Sequence, residues 1–187
     1  MTEHKLDFNR IIADSLSDKN LCVALDLLQE AFPPEERRTP ERQLSALSHP
    51  DYRLCLVSDN GKNVGVVGYF VTPRFVYFEN FCIDASLRNG GYGSDTLVEL
   101  VRLYSNRLFV LEAELPSDAL KQRRIDFYLR NGMVVNSYDH IQPHYNPWDA
   151  DLHLVVLSYG RELSATEYAD FKLYLDDNVD INGKYTK

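Results

Sequence analysis

Residues 81–94 read Phe-Cys-Ile-Asp-Ala-Ser-Leu-Arg-Asn-Gly-Gly-Tyr-Gly-Ser, and this stretch predicts a strand, a glycine-rich loop and the first turn of a helix. Three glycines within four residues allow the backbone to approach a ligand closely and to adopt positive φ without steric conflict. The free N–H groups at a helix start, together with the helix dipole, favour a bound anion. The loop therefore predicts a site for a ligand that carries phosphate.

The glycine spacing excludes the two common nucleotide-binding loops. No Gly-x-x-x-x-Gly-Lys-Ser/Thr pattern occurs, and Thr96 stands where the Gly-x-Gly-x-x-Gly pattern of a dinucleotide fold needs its third glycine. A different phosphate ligand is therefore expected. The alternative, a glycine turn that binds nothing, stays open at this point.

The residues before this loop predict two helices and an antiparallel meander. Apolar residues at 21, 25, 28 and 32 form one helical stripe that Pro33 ends, and Thr39 followed by Pro40 predicts a short helix to about Leu47. An Asp-Asn-Gly-Lys turn at 59–62 predicts a hairpin. Strands are expected at 8–13, 52–58, 63–72 and 75–84.

The residues after the loop predict a strand, helix and parallel strand connection. A helix over about 92–104 leads to a buried strand at 108–113, and a second helix is capped by Ser117 or Asp118 and ended by Gly132. The predicted inner stripe of that helix is Ile125, Tyr128 and Leu129. The remaining expectations are strands at 133–138 and 152–158, a terminal helix at 164–177 opened by a Ser-Ala-Thr-Glu capping box, and an unsupported tail at 178–187.

Composition limits the class of partner. The 20 Lys and Arg residues against 28 Asp and Glu residues give a net charge of −8, which repels nucleic acid and anionic membranes. No apolar stretch approaches the roughly 20 residues that span a bilayer, and the first residues lack the apolar core of a signal peptide. We therefore expect a single cytoplasmic domain over residues 1–187 that binds neither nucleic acid nor membrane. Its three widely spaced cysteines favour reduced core thiols over a disulfide frame or zinc site.

Two motifs at matching positions resemble the GNAT superfamily of acyl-CoA-dependent N-acetyltransferases. The family loop Arg/Gln-x-x-Gly-x-Gly/Ala is similar to residues 88–93, Arg-Asn-Gly-Gly-Tyr-Gly. The family Tyr four residues before a Gly is similar to Tyr128 and Gly132. The resemblance covers about residues 11–158 and implies an α/β fold, with a central, mostly antiparallel sheet of about seven strands and helices on both faces. One departure is Glu112-Ala113-Glu114, where many members place an Asn that helps to hold the cofactor.

The resemblance implies acetyl-CoA as co-substrate, no metal, and a primary amine acceptor that is either a small molecule or a protein; a homodimer is left open. Backbone near Cys82 and Ile83 would meet the thioester and pantetheine. The pyrophosphate would bind to the loop residues Arg88, Asn89, Gly90, Gly91, Tyr92, Gly93 and Ser94.

Acetyl transfer to an amine needs a proton donor for the sulfur and a base for the amine. Tyr128 is the candidate acid; the alternative is a core tyrosine with a satisfied hydroxyl. Glu79 is the candidate base because it shares strand parity with Phe81 and Ile83; a hydrogen-bonded structural glutamate is the equal alternative. Glu112, Glu114 and His144 are weaker candidates.

The acceptor side of the site is predicted from aromatic and histidine side chains. Phe32, His144 and Tyr145 are the candidate substrate-binding residues, with Trp148 beside them, although core or lid packing is the favoured interpretation for the aromatic residues. The Glu-Glu-Arg-Arg run at 35–38 is interpreted as a solvated helix end. The second hypothesis for the whole chain is a coenzyme A sensor that keeps the fold without turnover.

Overall fold

A computed structural model describes residues 4–180, which form a seven-stranded sheet covered by five helices, and it confirms the predicted α/β fold. The strands are β1 (Leu6–Arg10), β2 (Tyr52–Asp59), β3 (Lys62–Val71), β4 (Phe75–Ile83), β5 (Leu108–Glu114), β6 (Met133–Ile141) and β7 (His153–Tyr159). The helices are α1 (Lys19–Ala31), α2 (Pro40–Ala46), α3 (Tyr92–Leu103), α4 (Ala119–Arg130) and α5 (Ala165–Asn178), with short 3₁₀ turns at Pro34–Glu36 and Ala85–Leu87.

The sheet opens between β4 and β5. Its strand order is β1-β2-β3-β4-β5-β7-β6, and all neighbours are antiparallel except β4 and β5. The parallel pairing of β4 with β5 ends at Phe78 and Leu111. Beyond this point β4 stays paired with β3 and β5 with β7, so the two strands part and leave a cleft in the middle of the sheet.

A β-bulge lies where this cleft begins. The register of β3 on β4 passes from Tyr69 opposite Phe78 to Gly68 opposite Asn80, so Glu79 is the extra residue. A bulge re-aims the side chains that follow it. Phe81 consequently packs in the core cluster of Phe78, on the other face from Tyr77. The predicted shared parity of Glu79 and Phe81 is therefore wrong.

Each face of the sheet has its own apolar core. On one face α1 and α5 bury Leu21, Leu28, Phe171 and Leu175 against side chains such as Leu54. On the other face α3 and α4 supply Leu97, Leu100, Ile125 and Tyr128. Covering both faces explains why β3 and β4 read as nearly continuous apolar runs rather than as alternating ones.

The local signals at helix and strand ends mostly match the structure. Thr39, Asp118 and Ser164 cap their helices, and Gly132 has the positive φ of 84° expected after α4. Leu129, by contrast, is 44% exposed, so the inner stripe of α4 ends at Tyr128. The first strand begins two residues earlier than expected, at Leu6.

The last described residues pack against the core, whereas the sequence predicted an unsupported tail from residue 178. Helix α5 continues through Asn178, and Val179 is fully buried in the α1-side core, because its side chain extends the apolar stripe of Phe171 and Leu175. Residues 181–187 of the predicted tail lie outside the described residues. Within residues 4–180, no helix is both long enough and apolar enough to cross a bilayer.

Candidate active site

A cavity of about 840 Å³ occupies the cleft between the parted strands. It runs from the start of α3 past the inner face of α4 to the segment that joins α1 to α2. A concave site at a break in a sheet, lined by apolar and a few charged groups, is where ligands usually bind. The cavity therefore brings residues from distant parts of the sequence to one place.

The glycine loop forms one end of this cavity. Gly91 directly precedes α3 and has a φ of 93°. This left-handed conformation is unfavourable for residues that carry a side chain. Among residues 4–180, no side chain caps this helix start, whereas Asp18, Thr39, Asp118 and Ser164 cap the other four helices. The first-turn N–H groups of α3 are thus left for a ligand, as an anion site requires.

Most of the predicted cofactor residues line the cavity. Gly90 does not line it, and the Arg88 side chain bonds the Ile83 carbonyl at 3.4 Å. Further basic side chains on α4, Arg123, Arg124 and Arg130, face the same space and favour an anionic ligand there. The predicted residues in the lining are Cys82, Ile83, Arg88, Asn89, Gly91, Tyr92, Gly93 and Ser94.

Tyr128 lies in the wall of the cavity as part of α4. Its residue is only 7% exposed, and it belongs to the apolar cluster with Ile125. Burial raises the pKa of Tyr128 to about 12, and the nearby Arg124 opposes this rise. The phenol therefore keeps its proton throughout the neutral range.

Glu79 also lines the cavity, but a buried cation neutralises it. Its Oε2 accepts a hydrogen bond from the Arg38 guanidinium at 2.7 Å, and the two side chains are 0% and 4% exposed. Burial acts to lower the pKa of Arg38, but the Glu79 carboxylate outweighs it and holds that pKa above its usual range. Glu79 Oε1 has no hydrogen-bond partner among the described residues and is fully enclosed.

Glu36 is a cavity residue that the sequence did not single out. It ends the 3₁₀ turn Pro34–Glu36, half-buried at the cavity wall, rather than lying on a solvated helix end. Burial first, and then the negative charge of Glu114, raise the pKa of Glu36 to about 7. The Pro33-Pro34 pair that ends α1 predicts a turn at this place, but it does not show which way the turn points.

The two acidic residues of β5, Glu112 and Glu114, both have side-chain partners. Glu112 accepts hydrogen bonds from the Tyr77 hydroxyl and from the His140 ring. Glu114 pairs with Arg124 at 2.7 Å and with Lys121 at 2.9 Å, which ties β5 to α4. Both carboxylates line the cavity.

The predicted substrate-side residues separate into two groups. Phe32 and Tyr145 line the cavity. His144 lies instead in a second surface hollow, where its ring contacts Asp151 at 3.1 Å, and Trp148 is 67% exposed outside the cavity lining. The structure therefore does not bring His144 to the site.

Hydrogen bonds hold the loop after β6 at the end of the cavity that Phe32 and Tyr145 line. Gln142 donates to the Glu35 carbonyl at 2.9 Å, and Asn146 donates to the Pro34 and Arg37 carbonyls at 3.3 and 3.2 Å. Gln142 and Asn146 are both buried. This loop and the segment that carries Glu36 therefore hold each other in place.

Comparison with known proteins shows which protein family shares this sequence pattern and fold. The sequence pattern of the family described as the acetyltransferase (GNAT) family matches residues 22–133. A solved protein from Bacteroides thetaiotaomicron, described as a GNAT-family acetyltransferase, is 31% identical with a TM-score of 0.83. The match covers 92% of this chain and 97% of that one. No curated protein matches the sequence.

More distant structures share the fold alone. The ribosomal-protein-S18-alanine N-acetyltransferase from Escherichia coli is 18% identical with a TM-score of 0.60, over 86% of this chain and 97% of that one. A GNAT-family acetyltransferase from Elizabethkingia anophelis, solved with acetyl-CoA bound, is 15% identical with a TM-score of 0.57, over 82% and 97%.

Proposed function

This chain belongs to the GNAT acetyltransferase family, and we propose that it transfers the acetyl group of acetyl-CoA directly to a primary amine. The observation that carries the proposal is the start of α3, which has no side-chain cap in the described part of the chain and opens into a cavity that Tyr128 and Glu36 also line. One end of this cavity suits an anion, and the other end offers a group that can accept a proton near neutral pH.

The residues present fit acetyl-CoA, which supplies an activated acetyl thioester. The first-turn N–H groups of α3 would hold the pyrophosphate, and Arg88 and Arg123 would add positive charge around the phosphates. The unpaired stretch of β4 near Cys82 and Ile83 offers main-chain groups to the pantetheine arm.

Tyr128 would donate a hydrogen bond to the departing sulfur without giving up its proton. Thiols have a pKa of about 8.5, so full transfer from a phenol with a pKa of about 12 would be uphill by about 5 kcal/mol. A hydrogen bond to a developing anion still stabilises it, by about 1.5–3 kcal/mol. Tyr128 acts in this proposal as a fixed donor rather than as an acid that dissociates.

Glu36 would act as the base for the acceptor amine. A general base works best when its pKa lies near the operating pH, and the pKa of about 7 meets this condition. Glu79 is bound to Arg38 and fully enclosed, so it would not contact the acceptor directly. We therefore assign proton removal to Glu36 and a structural role at the cavity wall to Glu79.

A direct route agrees with the state of the cysteine in the cavity. Burial raises the pKa of Cys82 to about 12, so its thiol stays protonated and is a poor nucleophile. An acetylated enzyme intermediate on Cys82 is therefore not part of the proposed route.

The test is a screen of amine acceptors with release of free coenzyme A thiol as the readout. The panel contains small primary amines, polyamines and peptides with free N-termini, and thermal unfolding with and without coenzyme A runs beside it. Ligand at 100 times its dissociation constant should stabilise the protein by about 2.7 kcal/mol. Binding of coenzyme A without acetyl transfer to any amine would contradict the proposal.

A further inference from the structure

His4, the first residue that the structure describes, packs on the loop that precedes α3. Its imidazole ring stacks on the Tyr92 ring, with ring centres 3.9 Å apart and an angle of 28° between the ring planes. A Cβ atom placed on Gly91 would lie 3.4 Å from Cε1 of His4, so the ring also covers the α-carbon of Gly91. Gly91 and Tyr92 line the cavity, and the His4 side chain is only 13% exposed. A residue that precedes the first strand therefore contacts the predicted cofactor loop directly.

Two hydrogen bonds join His4 to the first turn of α3. Its backbone N–H donates to Oδ2 of Asp95 at 3.2 Å, and Nδ1 of its ring lies 2.6 Å from the same oxygen. A carboxylate oxygen accepts and does not donate, so Nδ1 carries the hydrogen in this contact. The Asp95 N–H in turn donates to the Gly91 carbonyl at 3.1 Å. His4 and Asp95 together therefore hold the junction between the loop and the helix.

The hydroxyl end of Tyr92 is held by a different contact. The Tyr92 hydroxyl donates to Oδ2 of Asp59 at 3.1 Å. Asp59 ends β2 and is paired with Leu6 of β1, the strand that His4 precedes. One edge of the sheet thus holds both the ring and the hydroxyl of Tyr92.

The composition of the loop makes such support useful. Asn89 and Gly91 have positive φ angles of 66° and 93°, and glycine has more backbone freedom to lose on ordering than any other residue. Within the described range, α3 also begins without a side-chain cap. Binding a ligand to a loop that samples many conformations costs the entropy of ordering it. Contacts that already hold the binding conformation reduce this cost.

We propose, on the basis of the proposed function, that His4 is a positioning residue that holds the glycine loop in the conformation whose N–H groups bind the pyrophosphate of acetyl-CoA. His4 acts through Gly91, Tyr92 and Asp95, and it takes no part in the transfer of the acetyl group. Its loss should therefore weaken binding of a donor that carries a pyrophosphate and leave the chemistry at the thioester unchanged.

Two acetyl donors separate this role from a general effect on the fold. Acetyl-CoA carries the pyrophosphate, whereas S-acetylpantetheine has the thioester arm without it. His4→Ala should raise the KM for acetyl-CoA by about 5-fold to 10-fold, while kcat stays within about 2-fold of the wild type. The kcat/KM for S-acetylpantetheine should also stay within about 2-fold, because this donor does not use the loop. A variant with a loosened fold would instead lose activity with both donors.

His153 provides a matched control. Its Nδ1 contacts Oδ1 of Asp139 at 3.1 Å, so it is a second histidine paired with an aspartate. This pair joins β7 to β6, and the cleft between β4 and β5 separates these strands from β1. His153→Ala removes a similar contact away from the glycine loop, and it should match the wild type with both donors.

Calorimetric titration of the full chain with coenzyme A gives a readout that needs no turnover. The dissociation constant of coenzyme A should rise by about 5-fold to 10-fold in His4→Ala and stay unchanged in His153→Ala. An unchanged dissociation constant in His4→Ala, or an equal loss of activity with both donors, would overturn the role of His4 while leaving acetyl transfer intact. Weaker binding in His4→Ala, in a protein that acetylates no amine, would support the role of His4 and refute the proposed function.

Discussion

Replacing Glu36 with Gln tests the proposed base. A carboxyl with a pKa of about 7 is about one-tenth ionised at pH 6 and about nine-tenths ionised at pH 8. The wild-type rate should therefore fall about 10-fold between pH 8 and pH 6, with a break near pH 7. A glutamate at its ordinary pKa of about 4.5 would give almost no change over this range.

The Glu36→Gln variant should have a lower kcat than the wild type, and its kcat should no longer change near pH 7. Removing a general base lowers kcat by about 100-fold to 10,000-fold, and the break near pH 7 should disappear because no carboxylate remains to titrate there. The assay is thiol release at saturating acetyl-CoA and amine over pH 5.5–9. Glu35→Gln is the control, because Glu35 is the exposed neighbour and contributes only its backbone carbonyl to the contact with Gln142.

Stability measurements show whether Glu36→Gln acts through catalysis or through unfolding. The pKa of Glu36 is higher in the folded than in the unfolded chain, so ionisation opposes folding increasingly as the pH rises from about 4.5 to about 7. The full shift corresponds to at most about 3 kcal/mol, which partial exposure reduces. Glu36→Gln should therefore unfold at a higher temperature than the wild type at pH 8, with a smaller difference at pH 5. A variant with an unchanged break near pH 7, or one destabilised at pH 8, would refute the assignment.

Two further predictions concern the donor and the loop. Tyr128→Phe should lower kcat by about 10-fold to 100-fold, because it removes a hydrogen bond to the departing sulfur. The dissociation constant of coenzyme A, measured by calorimetry, should stay unchanged. A large loss of coenzyme A affinity would instead show that Tyr128 has a packing role. Gly91→Ala should raise the KM for acetyl-CoA, because its φ of 93° strains an alanine by about 1–3 kcal/mol in the loop itself. Gly61→Ala is the control, with a similar φ of 78° in an open hairpin, and an equal rise in KM for both variants would exclude a local effect.

Local sequence signals predicted most elements because their causes are local. The Asn-Gly hairpin, the caps at Thr39 and Ser164 and the left-handed Gly132 all depend on residues within a few positions of one another. The insertion of β7 between β5 and β6 depends on pairing between distant segments, and no local pattern encodes it. The same distinction explains Leu129: the helical period put it on the inner stripe, but the packing of α4 left it exposed.

The site was predictable where it depends on the backbone and less so where it depends on side chains from several elements. The glycine loop and Tyr128 follow from short motifs, and both line the cavity. The sheet face on which Glu79 lies could not be predicted from strand parity, because the β-bulge at Glu79 shifts the alternation of side chains along β4. Glu36 could not be found because its environment is assembled from β5, α4 and a proline-stopped turn.

Glu36 differs from the other carboxylates that line the cleft in having no bonded cation in the described part of the chain, which helps to explain its raised pKa. Glu79 has Arg38 beside it, Glu112 has His140, and Glu114 has Lys121 and Arg124. Among residues 4–180, the Glu36 carboxylate has no ion pair or side-chain hydrogen bond, and Glu114 adds further repulsion. A half-buried charge without a bonded partner is unfavourable, so burial and Glu114 raise the pKa of Glu36 to about 7 although Arg124 and Lys121 act in the opposite direction. The carboxylate without a bonded cation is therefore the one best suited to take up a proton near neutral pH.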